Sequence, residues 1–344
     1  DFRDPWTDIY YYNKMYPTPI AKAIDRQYER NVLLDADFDY NKVDTYLPGL
    51  LGWTKYYGVF DGNNHTISNV RRSDTGYEVI ALQNFGTIKN VHVKNISDKC
   101  YGEHTRQGIV CGDNYGIVEN CSVENAVIGT VAQEENSIYG KVTEYGALVG
   151  GNFGTIRGCF ASDITFDGEG VTWPLAHEFP YSTIENTYYE AEVESGDAAK
   201  TAEQFASGEV CCLLNRGVTD GSQYWYQNID NDAEKDAVPV PDRSHGTVYS
   251  GYQGCIKTYS NTELSDTPSH EVKYTAENNV LTGVCKADPS HTVTITLTAE
   301  DATYDGKEHK AVLNKTYSDG WGEADVNAKI VYTKDGEPTT DLTS

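Results

Sequence analysis

One stretch of the chain repeats itself, and that repeat limits the available folds more than any other feature. Asn84-Phe85-Gly86-Thr87-Ile88-Lys89-Asn90-Val91 returns as Asn114-Tyr115-Gly116-Ile117-Val118-Glu119-Asn120-Cys121, and again as Asn152-Phe153-Gly154-Thr155-Ile156-Arg157-Gly158-Cys159. Weaker copies flank these, Thr66-Ile67-Ser68-Asn69-Val70 before and Thr183-Ile184-Glu185-Asn186-Thr187 after. With the isoleucine/valine column as register, Ile67, Ile88, Val118, Ile156 and Ile184 are separated by 21, 30, 38 and 28 residues. A short strand at fixed register with insertions of unequal length between copies is the mark of a solenoid. The chain is therefore expected to be mainly β: a right-handed parallel β-helix with short helical caps, followed by a small C-terminal β-sandwich-like module.

The repeat also names its own core. Ile88, Val118 and Ile156 form one apolar column, Val93, Val123 and Ala161 a second, and Val91, Cys121 and Cys159 lie between them. The spacing of three predicts a bend between two short strands. Upstream, Val79, Ile109 and Ala147 align, as do Ala81, Cys111 and Val149. Stacked about 4.8 Å apart, like residues lie over like. Asn84, Asn114 and Asn152 read as an amide ladder, and Phe85, Tyr115 and Phe153 as rings stacked along the axis. The glycine after each ring is expected where an adjacent bend disfavours a Cβ. Cys121 and Cys159 read as small buried apolar residues, with a disulfide between rungs as the alternative.

Gly108-Ile109-Val110-Cys111-Gly112-Asp113-Asn114-Tyr115-Gly116-Ile117-Val118-Glu119-Asn120-Cys121 and Gly146-Ala147-Leu148-Val149-Gly150-Gly151-Asn152-Phe153-Gly154-Thr155-Ile156-Arg157-Gly158-Cys159 resemble GLUG repeats. Phe60-Asp61-Gly62-Asn63-Asn64-His65-Thr66-Ile67-Ser68 is similar to the segment that precedes such repeats. GLUG repeats occur in large bacterial surface proteins, including some IgA-cleaving metallopeptidases. The resemblance spans roughly residues 55–190 and implies an architecture rather than an activity. The metallopeptidase chemistry does not carry over, because His270-Glu271-Val272-Lys273-Tyr274 lacks the second histidine of His-Glu-x-x-His.

Aspartate and glutamate outnumber lysine and arginine 52 to 27, a net charge of −25, which repels a phosphate backbone and argues against nucleic acid. No apolar run approaches 18 residues, so no membrane insertion is expected within this segment. The 26 tyrosines and single methionine fit an extracellular protein of strands and turns, at a bacterial cell surface or secreted. Among eight cysteines, Cys255 and Cys285 are the best candidates for a disulfide. His270 and His291 raise a Cys/His metal alternative, at a spacing unlike compact zinc motifs. No cofactor is expected, with calcium as the ion that the acidic stretches could take. Asp35, Asp37 and Asp39 share one face of an alternating stretch, Val32 to Asp39, with Leu34, Ala36 and Phe38 turned inward. Asp230-Asn231-Asp232-Ala233-Glu234 begins like a calcium loop but lacks its glycine and closing glutamate.

The chain divides into four segments: residues 1–55, an N-terminal cap with a helix from Pro19 to Arg30 and the first strands; 56–194, the β-helix; 195–290, a C-terminal cap and irregular β region; and 291–344, a partial module. Thr201-Ala202-Glu203-Gln204 reads as a capping box opening a helix over the solenoid's far end. Tyr304-Asp305-Gly306-Lys307 is similar to a recurring turn of bacterial immunoglobulin-like surface modules, which implies a longer parent protein.

Every residue of the repeat has a structural task, so function is assigned to the loops. The insertions 96–107 and 129–145 carry Glu103, His104, Arg106, Glu134, Glu135, Tyr139 and Glu144, and Trp225 with Tyr226 form an aromatic pair suited to a sugar ring. His65 reads as a turn residue. The reading is a non-catalytic adhesion or ligand-binding region that contacts a host glycan or host protein through these loops. The alternative is a polysaccharide lyase or glycoside hydrolase, for which the scattered carboxylates form no motif.

Overall fold

The computed structural model describes residues 31–42, 55–70, 79–96, 106–129, 144–167, 170–231, 233–301, 303, 305–318 and 326–340. The expected N-terminal helix and its aromatic cluster lie outside them. The chain divides into two compact units, Asp1–Val248 and Tyr249–Ser344.

The first unit is a parallel β-helix. Its first face stacks six strands, Val32–Leu33, Val59–Asp61, Thr87–Lys89, Ile117–Glu119, Thr155–Arg157 and Thr183–Glu185, all parallel. The second stacks Phe38–Asp39, Thr66–Ser68, His92–Ile96, Ser122–Ile128, Phe160–Phe166, Tyr188–Glu190 and Ala199–Lys200. The third stacks Lys55–Tyr56, Ala81–Asn84, Cys111–Asn114, Val149–Asn152 and His177–Glu178. Every apolar column named above is buried, with Ile88, Val91, Val93, Val118, Cys121, Val123, Ile156, Cys159 and Ala161 all fully inaccessible.

The true register corrects the one read from the isoleucines. Phe60, not Ile67, lies opposite Ile88, whereas Ile67 lies opposite Val93 on the second face. Val32 pairs with Phe60, so the steps are 28, 28, 30, 38 and 28 residues. A rung is thus 28 residues, and the longer steps are that rung plus an insertion. Val32 to Asp39 is correspondingly not one strand. It holds two short strands of the first rung, with Val32 and Leu34 buried and Ala36 exposed.

An amide ladder, a ring stack and columns of left-handed residues hold the rungs in step. Asn84 Nδ2 donates to Asn114 Oδ1 at 2.8 Å, and Asn114 Nδ2 to Asn152 Oδ1 at 2.9 Å, all three side chains being fully buried. Each Oδ1 also accepts from the backbone N–H two residues on, at Gly86, Gly116 and Gly154. Beside the ladder, Tyr57, Phe85, Tyr115, Phe153 and Phe179 stack with centroids 4.1–5.0 Å apart. The glycines are demanded by space rather than by dihedral angle. A Cβ on Gly116 would sit 2.0 Å from the carbonyl oxygen of Gly86 in the rung below. The bends themselves come from left-handed residues. Asn90, Asn120, Gly158 and Asn186 form one positive-φ column and Asn69, Asn95, Asn125 and Asp163 another. Asparagine and glycine tolerate that region best, and the side chains of the first column also bond between rungs, as Asn120 does to Asn90.

Cys121 and Cys159 are free, buried thiols. Each is placed to donate to the carbonyl two residues before it, Glu119 and Arg157 respectively, at 3.2 Å. Burial raises the Cys121 thiol well above its ordinary value, so it stays protonated.

After Ala199–Lys200 come α1 (Ala202–Ala206) and α2 (Glu209–Leu214). The Thr201/Gln204 capping box forms, with Gln204 N donating to Thr201 Oγ1 and Thr201 N to Gln204 Oε1. The chain from α1 onward is not confined to the solenoid's end. Phe205, Tyr224 and Trp225 lie against the outer side of the second face, where Trp225 meets Phe160 at 5.1 Å and His92 at 5.3 Å between ring centroids. Tyr224 reaches Asn64, near the first described rungs, at 2.8 Å. The polar or aromatic residues His92, Ser122 and Phe160, which alternate with the core column, are the floor of this lateral cover.

The second unit, described by itself, holds a hairpin (Tyr249–Gln253 with Ile256–Ser260) and a four-stranded antiparallel sheet, Val272–Glu277, Val280–Cys285, Thr292–Thr298 and Val312–Tyr317. That sheet runs through residue 290, so no boundary falls at 290/291. The Asp305 turn forms, its carboxylate accepting from Lys307 N at 2.9 Å; Tyr304 lies outside the described residues. Val293, Ile295 and Val326 make a small core with Leu281, Leu313 and Tyr317 against it.

Two predictions arise here. Asn114→Ala breaks the ladder on both sides, removing the buried bonds from Asn84 Nδ2 and to Asn152 Oδ1 and one of the two acceptors of Gly116 N–H, and should cost about 2–4 kcal/mol of unfolding free energy in urea; a cost near zero would show that the ladder is not a mainstay. His92 is 2% exposed, and burial pushes its pKa from 6.5 down to about 3. Below pH 6.5 the unfolded chain therefore takes up a proton that folded His92 refuses, and stability falls with pH across that window. Its share of the loss at pH 5 is about 2 kcal/mol. His92→Gln should flatten the slope of urea stability against pH by that amount, and a slope equal to the parent's would refute it.

Candidate ligand-binding edge

The insertions leave and re-enter the coil at one edge. On the second face Ile96, Ala126 and Ile164 lie in register. From there the chain crosses through 97–105, 130–143 and 168–169 and returns as a fourth, three-stranded parallel sheet, Arg106–Gln107, Glu144–Gly146 and Val171–Trp173. Glu144 lies opposite Arg106 and Val171 opposite Glu144. Arg106 and Glu144 are thus strand residues at the root of the insertions, not loop residues. Glu103, His104, Glu134, Glu135 and Tyr139 lie outside the described residues.

Around that root is a compact charged and aromatic cluster. Arg106 grips Asp113 with Nε to Oδ1 at 2.8 Å and Nη2 to Oδ2 at 3.2 Å. Its guanidinium lies 5.4 Å from the Phe153 ring centre and 5.1 Å from that of Phe179. Gly151 leaves room for the pair, since a Cβ there would sit 2.7 Å from Arg106 Nε. The Asp113 hydrogen bonds raise the guanidinium's already high pKa, so its charge is permanent. Next to it, His177 Nδ1 lies 2.7 Å from Glu144 Oε2. The His177 ring stacks on Trp173, 4.6 Å and 10° away, and is tilted by 36° against Phe179 at 4.3 Å. The Trp173 indole N–H is buried with no hydrogen-bond partner among the described residues.

This arrangement is suited to holding rather than reacting. Arg106 and Asp113 are committed to one another, as are Glu144 and His177, and Trp173 stacks on the His177 ring. Sequence reasoning missed Asp113, Trp173, His177 and Phe179. Phe179 is the fifth ring of the aromatic column, but no glycine follows it, so the repeat carries no signal there.

Trp225 and Tyr226 are corrected as site residues. Trp225 is 1% and Tyr226 5% exposed, and Trp225 Nε1 donates to Gly158 O at 3.0 Å. With its faces against Phe160, His92 and Tyr224, the indole has no free surface for a sugar. The acidic triplet also does not converge. Asp37 accepts from Thr66 N and bonds His65, Asp39 accepts from Asn69 and Asn41, and Asp35 is exposed. In the second acidic run, Asp232 lies outside the described residues. A cavity of about 280 Å³ beside α2 holds Arg157 and Arg216, but each arginine already has a carboxylate partner, Glu119 and Glu185.

No family model and no curated protein matches the chain. Among solved structures it is similar to a "putative immunoglobulin A1 protease" from Bacteroides ovatus, at 16% identity and a TM-score of 0.38, over 62% of this chain and 86% of the other. At that TM-score the likeness carries no argument about fold or activity.

Trp225→Ala should cost about 3–5 kcal/mol in chemical denaturation, as for a buried core aromatic. A cost below about 1 kcal/mol, as for an exposed side chain, would return Trp225 to the ligand candidates.

Proposed function

We propose that the chain is a non-catalytic, extracellular ligand-binding region of a larger bacterial surface protein. Its contact surface is the edge from which 97–105 and 130–143 arise, and its ligand is a host glycan or host protein. The observation that carries this reading is the register of the fourth sheet. Insertions of different length return to adjacent parallel strands, so their roots lie side by side on the coil. The GLUG-type resemblance and the acidic, tyrosine-rich composition support the surface location.

One observation favours the second reading, a polysaccharide lyase or glycoside hydrolase. A histidine-carboxylate pair and an arginine sit on neighbouring strands, as a base and a charge-neutralising cation would in a lyase. Against it, the Arg106 charge is already met by Asp113 and His177 is held by Glu144 and two aromatic rings.

Because Gly129 and Glu144 belong to the rungs, the segment to replace is 130–143. Exchanging it for a short Gly-Ser turn should abolish capture on an array of host glycans and extracellular proteins, with urea unfolding still cooperative. Undiminished capture would sink the assignment, and release of product in a parallel polysaccharide-degradation screen would reverse the ranking of the two readings.

A further inference from the structure

The second unit carries a cluster unrelated to the loop edge. Cys255 lies in the turn between Tyr249–Gln253 and Ile256–Ser260, just after Gly254 at φ +66°, and His270 lies in the connection before Val272–Glu277. Cys285 ends the strand Val280–Cys285, and His291 precedes Thr292–Thr298. Four backbone hydrogen bonds tie these separate segments together at one end of the sheet: Ser269 N to Gly254 O, Lys286 N to Glu271 O, Cys285 N to His291 O and His291 N to Asp288 O, all 2.8–3.0 Å. As a result a ligand atom from each of Cys255, His270 and Cys285 falls within 4.8 Å of the other two.

We propose that Cys255, His270 and Cys285 bind a zinc ion, with His291 completing the tetrahedron, and that this ion staples the second unit. The two Sγ atoms are 3.5 Å apart. Two Zn–S bonds of about 2.3 Å at a tetrahedral angle subtend about 3.8 Å, so both sulfurs can reach one ion with little movement. The His291 ring stands 5.3 Å from that of His270, centroid to centroid. Its Nδ1 is buried with no hydrogen-bond partner among the described residues. A donor set of two thiolates and two imidazoles selects zinc over the hard cations that carboxylates bind. Binding displaces the two thiol protons to solvent. The physical need is plain, because three buried residues make a thin core and small units are commonly stapled by a metal or a disulfide. The proposal does not rest on the ligand-binding role of the β-helix.

The test uses the full chain, purified with a phosphine reductant, stripped with EDTA and titrated anaerobically with Co²⁺. One equivalent should develop thiolate-to-cobalt charge-transfer absorption, and equimolar Zn²⁺ should bleach it. Cys255→Ser and Cys285→Ser should each lose that band, and His270→Ala should weaken binding at least tenfold. X-ray absorption of the zinc-loaded parent gives a readout that no variant's folding can confuse, with two sulfur neighbours at about 2.3 Å expected. A nitrogen-and-oxygen shell alone, a charge-transfer band unchanged by both serine variants, or a Cys255–Cys285 disulfide in a parallel preparation isolated without reductant overturns the proposal.

Discussion

A buried amide at three successive turns of the coil is the constraint on which the first unit depends. Each asparagine of the ladder closes its own corner by accepting from the N–H two residues on, and joins its neighbour through Nδ2. Both bonds are needed, since an unmet amide in a dry interior costs more than the bond itself contributes. The residue therefore recurs at the same place in every strong copy, and the register of all the faces depends on it. The Phe/Tyr column and the glycine beside it are consequences of the same corner. Rungs approach closely enough there for rings to stack at 4.6–4.7 Å and for a carbonyl to occupy the place of a Cβ.

A coil locked at its corners can vary only where no ladder passes. The connection from the second face to the fourth sheet is such a place, and all the extra length of the 30- and 38-residue steps that is not rung falls between Ile96 and Arg106 or between Gly129 and Glu144. Rigidity and variability are thus two results of one constraint, and together they form the basis of the binding proposal. The lateral cover of Phe205, Tyr224 and Trp225 seals the outer side of the second face, and buries the aromatic pair that in sequence looked most like a sugar platform.

Much of the fold was legible in the residues because a repeat prints its own contacts. The apolar columns, the amide ladder, the ring stack and the capping box at Thr201 all came from aligned copies or from local spacing. The misplaced rung has an equally local cause. Thr66-Ile67-Ser68-Asn69 and Thr87-Ile88-Lys89-Asn90 share one pattern because both end at a left-handed asparagine. They belong to different bends, one on each face, and only the strand pairing separates them. The candidate site was less legible. Arg106 and Glu144 stand out as charges in insertions, but Asp113, Trp173, His177 and Phe179 carry no shared spacing that would gather them.

The sequence by itself determined the coil's core columns and corner chemistry, because each rung specifies the contacts of the next, whereas its 28-residue rung emerged only from the strand pairing. Only the tertiary structure decided what meets across unrelated segments. That Glu144 stands beside Arg106, that Trp225 is buried under the second face's outer side, and that Cys255, His270 and Cys285 converge all depend on how non-repeating connections fold back. No periodicity records such meetings, since they arise from chain geometry and not from a pattern written along it.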